Sequence, residues 1–212
     1  MDNSDKIILD LCGGTGAWSD HYAKAGYDRR IITLPEQDVL SYQPPARVWG
    51  ILAAPPCTEF ASSGTRWWKS KPPRLLEDAL AVVRACLSII EQCLPEWWAL
   101  ENPIGRLPRY IGKYRYTFQP WEYGDPWTKR TCIWGDHNIP VKTPVEPVGT
   151  WMGSHAAGKP LGIVDHPGLL IPSDSVFLPP DWVHRLAPGP DRAMLRSITP
   201  PGFARAFYES NK

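Results

Sequence analysis

A short uncharged run, Val48–Ala54, stops at two consecutive prolines, Pro55 and Pro56, and is followed at once by Cys57. Its brevity and lack of charge predict a buried strand. Neither proline can donate to a ladder, so the strand ends there. A cysteine is thereby presented at the carboxyl end of a strand, where ligands bind in open α/β sheets. The residues that follow, Thr58 to Gly64, read as a mobile loop. Most cysteines are small buried hydrophobes, so the weight given to Cys57 rests on this punctuation and on the rest of the chain.

At 212 residues the chain can build one domain with a full core. A net charge of +1 gives no global field for a polyanion, so any basic footprint must be local. The 24 prolines and 11 tryptophans predict stiff, aromatic-rich loops around a compact core. Five cysteines without a C-x-x-C spacing indicate neither a disulfide framework nor a zinc ribbon. The histidines are scattered, and no metal is expected. No apolar run reaches membrane-spanning length and the start is not a signal peptide, which points to a reducing, cytoplasmic setting with no membrane partner.

Lys6–Leu11 reads as a first strand, leading through Cys12, Gly13, Gly14, Thr15, Gly16, Ala17 and Trp18 into a helix-like stretch to about Ala25. A strand, a glycine-rich turn and a helix bring a ligand close to bare backbone. The glycines do not fit G-x-G-x-x-G, and a tight turn without a ligand is the plain alternative. A second strand, Arg30–Leu34, stops at Pro35. Glu36 can accept two hydrogen bonds from a ribose diol, with Asp38 and Val39 placed to meet an adenine; a solvated acidic turn is the other reading. Leu34 to Val48 leaves no room for a normal helix and strand, so one crossover is compressed or lost.

After Gly64, the cations Arg66, Lys69, Lys71 and Arg74 interleave with Trp67 and Trp68. This reads as phosphate neutralisation plus aromatic groups able to replace or stack on a base, or as a solvated loop whose tryptophans pack down. Leu75–Leu94 is the clearest helix, with Leu76, Leu80, Val83, Leu87, Ile90 and Leu94 at three- and four-residue steps. Cys86 and Cys93 read as core. A short strand, Trp97–Leu100, then delivers Glu101, Asn102 and Pro103, so a carboxyl group stands at a strand end as Cys57 does. Thr128–Gly135 reads as a strand with Lys129 and Thr131 on one face and Arg130 and Cys132 on the other. From Asp136 to about Pro190 prolines and glycines abound and no helical period is sustained. The tail from Pro200 to Ser210 can start a helix at its prolines and present Phe203, Ala206 and Phe207 to a core.

Five pieces therefore stand in one order: Asp10-Leu11-Cys12-Gly13-Gly14-Thr15-Gly16, Pro55-Pro56-Cys57, Glu101-Asn102-Pro103, the stretch Tyr123–Thr131, and the Pro-Pro-Gly-Phe-Ala-Arg-Ala tail. This order resembles the DNA cytosine-5 methyltransferases, especially their small bacterial and phage-like members. The resemblance covers about Ile7 to Gly135 and the last dozen residues. It implies an α/β fold with a Rossmann-like, partly compressed S-adenosylmethionine-dependent methyltransferase sheet and a small irregular recognition subdomain. The division it implies is a catalytic core over 1–135, a reduced target-recognition region over 136–190 and a C-terminal helix over 191–212.

Carbon 5 of cytosine is a poor nucleophile until a thiolate adds at carbon 6, which is covalent catalysis. By resemblance Cys57 is that nucleophile, Glu101 binds the base edge, Asn102 braces the site, and Lys129 keeps the one charge in a motif that elsewhere carries two arginines. Asp10, Cys12, Gly13, Gly14, Thr15, Gly16, Trp18 and Pro55, with Glu36, Asp38 and Val39, are the expected contacts to S-adenosyl-L-methionine. Arg66, Trp67, Trp68, Lys69, Lys71 and Arg130 are the expected contacts to DNA. The target base must leave the stack, and the loop Thr58–Lys71 is the segment expected to close over it.

The chain departs from the family at Thr58, at Ala61, at Pro103, and at Trp127 and Thr131. Its recognition region is short, so base readout is relaxed or supplied by a protein partner. RNA as substrate, transfer of a different group, and an inert nucleic-acid binder are the competing readings. Cys57 together with Glu101 argues against the last, since binding alone needs neither. Restriction protection, phage genome modification and a first step of a larger base modification all fit.

Overall fold

A computed structural model describes residues 2–152, 163–164, 176–189 and 192–212. Strands β1 (Ile7–Leu11), β2 (Asp28–Ile32), β3 (Gly50–Ala53) and β4 (Trp97–Pro103) run parallel. Strands β5 (Tyr116–Phe118) and β6 (Thr131–Asp136) extend the same sheet in antiparallel sense, giving the order β2-β1-β3-β4-β6-β5. This is the Rossmann-like α/β sheet expected from the sequence.

Period-two alternation sends neighbouring residues to opposite faces. Leu9, Ile51 and Leu100 face helix α2 (Pro73–Cys93), which buries Leu80, Val83, Cys86 and Ile90 against them. Ile8, Leu52 and Ala99 face the other layer, built from α1 (Asp20–Lys24) and the C-terminal helix Pro201–Ser210. There Phe203 stacks on Phe118 with ring centroids 3.7 Å apart. Each such fully buried side chain contributes about 1.5–3 kcal/mol, so the two apolar layers hold the strand ends in fixed register. The C-terminal helix opens with proline at its first position and buries Phe203, Ala206 and Phe207, as its pattern predicts.

Several boundaries differ from expectation. Strand β2 lies two residues earlier than predicted, and no helix lies between it and β3, so the crossover is indeed compressed. Helix α2 ends at Cys93; Leu94 sits in a left-handed cap with φ 44° and is 83% exposed, so it does not extend the buried stripe. Cys86 and Cys93 are buried, as expected.

Strand β4 runs on to Pro103 because its far end pairs with β6 after its parallel partner has stopped. Strand β6 begins at Thr131, later than predicted, so Lys129 and Arg130 precede it. The stretch read as irregular carries a three-stranded antiparallel sheet of β7 (Thr150–Met152), β8 (Ile163–Val164) and β9 (Val176–Leu178), in the order β8-β7-β9. A short helix, α3 (Trp182–Arg185), and α4 (Arg192–Ser197) follow. The remainder of the expected recognition region, residues 153–162, 165–175 and 190, lies outside the described residues. Among the described residues no helix is long and apolar enough to cross a membrane.

Candidate active site

Strand β1 lies between β2 and β3, so the connections leave it in opposite directions. A crevice opens outside the carboxyl ends of strands at such a switch point. Three segments converge there: the turn Cys12–Trp18 after β1, Pro55–Cys57 after β3, and Glu101 near the end of β4. A cavity of about 70 Å³ is lined by Asp10, Cys12, Gly13, Gly14, Thr15, Trp18, Pro55, Cys57, Glu101 and Lys129.

Glycine is required at position 13 by proximity: a Cβ there would lie 2.4 Å from the Asp10 carboxyl carbon. Asp10 is 1% exposed. Its Oδ2 accepts a 2.5 Å hydrogen bond from the Ser19 hydroxyl, and its Oδ1 has no partner. Burial pushes the Asp10 carboxyl from 3.8 up to about 6, against the Ser19 hydrogen bond and the charge of Arg29. The Trp18 indole N–H and Glu101 Oε2 are also buried without partners among the described residues. An unpaired carboxylate oxygen accepts from a ligand N–H, and an unpaired indole N–H donates to a ligand oxygen. The lining thus fits a small ligand that bears both a cation and an acceptor.

Because the folded state holds the Asp10 proton more tightly than the unfolded chain, ionising Asp10 destabilises the fold. The penalty is absent below the ordinary carboxyl value of 3.8, grows as pH rises and is fully present above about 6. A shift of this size corresponds to about 3 kcal/mol. Without ligand, Asp10→Asn is therefore expected to be more stable than the native chain at pH 7, with the gain fading by pH 4. Urea denaturation at both pH values measures it, and a pH-independent difference would refute the assignment.

The other wall is set by prolines. With β3 finished, the Pro55 carbonyl has no ladder partner, and Asn102 on β4 donates Nδ2–H to it at 2.9 Å. Asn102 is fully buried and ties the Cys57 segment to β4. The Cys57 carbonyl accepts from the backbone N–H groups of Phe60 and Ala61, both at 2.9 Å, which turns the chain sharply. Burial raises the Cys57 thiol pKa and the Glu101 charge raises it further; Lys129 and Arg196 oppose them. Burial also raises the Glu101 carboxyl, with Lys129 opposing. Lys129 is itself lowered by burial, with Glu101 and Cys57 favouring its charge. Its ammonium donates to the Ile198 carbonyl at 3.0 Å, which fixes it between β4 and the C-terminal segment.

A second cavity, of about 280 Å³, adjoins the first. Cys57, Pro103, Lys129 and Arg196 line both. Arg130, His184, Ser62 and Ser63 line the second alone. Arg196, His184 and Thr199, which lines the first cavity, carried no sequence signal, because they come from a stretch without periodicity.

The expected residues do not all converge. Glu36 is exposed on the turn after β2 and does not line the cavity. Asp38 does not line it either, although its charge reaches Cys12. Val39 is buried in the apolar cluster on the α2 side. The loop after Cys57 forms a 3₁₀ helix, Ser62–Trp67. Trp67 is 54% exposed with the Arg66 guanidinium 5.0 Å from its ring. Trp68 is half-buried beneath Arg106. Lys69 is exposed, whereas Lys71 forms a 2.5 Å ion pair with Glu59. Arg106 also approaches Glu59, at 3.8 Å, so this buried carboxylate pins the loop at both ends. Among the described residues no group of three or more His, Cys, Asp and Glu side chains could hold a metal ion.

Fold and site together define an α/β protein with a two-chambered crevice that has a cysteine at the junction. No protein-family model and no curated protein matches the chain. Among solved structures, it is similar to a protein described as a DNA modification methyltransferase encoded within a prophage of E. coli. The TM-score is 0.49 and the identity 14%, over 74% of this chain and 62% of that one. It is also similar to a mutant of Spodoptera frugiperda DNMT2, with a TM-score of 0.42 and 16% identity over 62% of this chain and 50% of the other. The chain thus spans less than two thirds of the length of either protein.

Proposed function

We propose that the protein transfers a methyl group from S-adenosyl-L-methionine to carbon 5 of cytosine in DNA. The observation that carries this reading is the meeting of two cavities at Cys57, one walled by the glycine turn and Asp10, the other by cations and apolar side chains.

On the first side, Asp10 and Trp18 would hold the cofactor through the unpartnered carboxylate oxygen and indole N–H, with Cys12–Thr15 and Pro55 around it. When bound, the cofactor supplies an electrophilic methyl group. On the second side, the Cys57 thiolate forms a bond to carbon 6 of the base and pushes an electron pair towards carbon 5. Glu101, whose protonated form burial favours, donates to N3 of the ring and stabilises the charge that develops there. Lys129 favours the thiolate, and Asn102 holds the backbone of Pro55 against β4. Once carbon 5 carries the methyl group, its proton passes to solvent water, the freed electron pair forms the double bond between carbons 5 and 6, the Cys57 sulfur leaves carbon 6 with its bonding pair as thiolate, and the N3 proton returns to Glu101.

Extrusion of the base leaves a gap beside which Trp67 and Arg66 can stack. Lys69 and Arg130 are exposed and available to phosphates; Lys71 serves the loop through Glu59. The short recognition segment leaves room for a protein partner in target choice.

The test is nucleoside mass spectrometry of unmethylated duplex DNA incubated with the native chain and S-adenosylmethionine. The expected product is 5-methylcytosine. Its absence from duplex DNA, single-stranded DNA and RNA alike would sink the reading; its appearance in RNA alone would reassign the substrate.

A further inference from the structure

The larger cavity combines two chemistries. Pro103, Ile104, Val183 and Ala61 supply apolar wall, while Lys129, Arg130, His184 and Arg196 supply positive or protonatable groups. Among the described residues no carboxylate lines it. By contrast, Lys71, Arg106 and Arg185 each lie within 4 Å of a carboxylate oxygen. Among the described residues none of the four cavity groups forms an ion pair. Their crowding is unfavourable in itself, since Arg196 works against protonation of both Lys129 and His184. Unneutralised cations around an apolar pocket are an electrostatic cost that an anionic ligand removes.

We propose that this cavity is a nucleotide-phosphate site: Arg130, His184 and Arg196 hold the phosphate of the nucleotide whose base lies against Cys57. The smallest ligand recognised is then one pyrimidine nucleotide, which matches a cleft of about 280 Å³. Arg196 has the central place. It lines both cavities and reaches across to the Ser63 hydroxyl at 3.4 Å, so it faces the base and its phosphate from the junction. Ser62 and Ser63 add hydroxyl donors at the opposite lip. The inference rests on the function proposed above and adds to it: recognition of a phosphate by the catalytic crevice itself, independent of duplex structure. The phosphate belongs either to a free nucleotide or to one unit of a strand.

Titration calorimetry with deoxycytidine, deoxycytidine 5′-monophosphate and a short single-stranded oligonucleotide tests it. Charge-assisted hydrogen bonds of this kind give the monophosphate at least a tenfold advantage, roughly, over the nucleoside. Arg196→Gln and Arg130→Gln each remove most of that advantage, while Arg196→Lys retains part of it. Both side chains reach solvent, and circular dichroism of each variant verifies that it folds. Added salt reduces the preference.

Equal affinity for nucleoside and monophosphate, no measurable binding of the monophosphate, or an unchanged ratio in Arg196→Gln overturns the proposal. Oligonucleotide binding tighter than the monophosphate and equally dependent on Arg196 identifies a strand as the source, and equal affinity identifies a free nucleotide. If adenosine and thymidine monophosphates bind as well as the cytosine nucleotide, the phosphate site stands and the cytosine reading falls. If deoxycytidine binds without a phosphate advantage, the reverse holds.

Discussion

Replacing Cys57 with alanine is expected to abolish methyl incorporation, by at least ~10³-fold, while binding of cofactor and nucleic acid persists. The magnitude follows from the chemistry, since without sulfur on carbon 6 no electron pair is available at carbon 5. Binding persists because the fold fixes this position through the backbone, by bonds from Phe60 and Ala61 to the Cys57 carbonyl and from Asn102 to that of Pro55. Radiolabel transfer measures the first quantity and calorimetry the second. Full activity in Cys57→Ala would refute the mechanism, whereas equal inactivity of native and variant chains would favour an inert binder.

The same site predicts the pH dependence. Burial and the Glu101 charge raise the thiol pKa of Cys57, so the reactive thiolate gains population as pH rises. Loss of the proton from Glu101, or from Lys129, whose pKa burial lowers, then removes a group needed in the charged crevice. A bell-shaped profile is expected, with one limb set by Cys57 and the other by Glu101 or Lys129.

Replacing Glu101 with glutamine is expected to lower kcat by about 10²- to 10³-fold, since a proton donor to the ring is lost at the moment charge develops. It is also expected to remove the ionisation of Glu101 from the pH profile, since glutamine does not titrate. Lys129→Met acts on the thiol: Lys129 lowers the thiol pKa, so its loss moves the Cys57 limb upward. A purely structural role for Glu101 would reduce activity and leave both limbs in place, so pH–rate profiles of the two variants separate the cases.

How much of this was legible in the sequence depended on whether a residue's role was local. The positions of Cys57 and Glu101 could be read because Pro55 and Pro56 end one strand and the apolar run Trp97–Leu100 leads into the other, and crevices open beyond strand ends in parallel sheets. Helix α2 was legible from its period, though Leu94 was not placed correctly, because the chain turns into a left-handed cap before Pro95. The extension of β4 to Pro103 depended on pairing with β6, a partner some thirty residues away in sequence. The pairing of Lys71 with Glu59 was hidden for a related reason: a charge in a basic run looks free until its neighbours in space are known. Arg196 and His184 reach the cavity through tertiary packing of a proline-rich region, where neither spacing nor punctuation reports direction.

The pinning of Glu59 has a mechanical consequence. Between Cys57 and Ser62 the chain is fastened repeatedly: Arg106 bonds Glu59 and Phe60, and Ser62 bonds Ile104. Past Ser62 the fastenings thin to Lys71 on Glu59, Arg196 on Ser63 and Trp68 beneath Arg106. The segment is thus a stiff root carrying a compliant tip. On the proposed function, a polymer pressing on Trp67 and Lys69 would load the tip, and the root would keep that load from the Cys57 sulfur, so the proposed nucleophile would hold its aim while the surface around it adapts to whatever shape arrives.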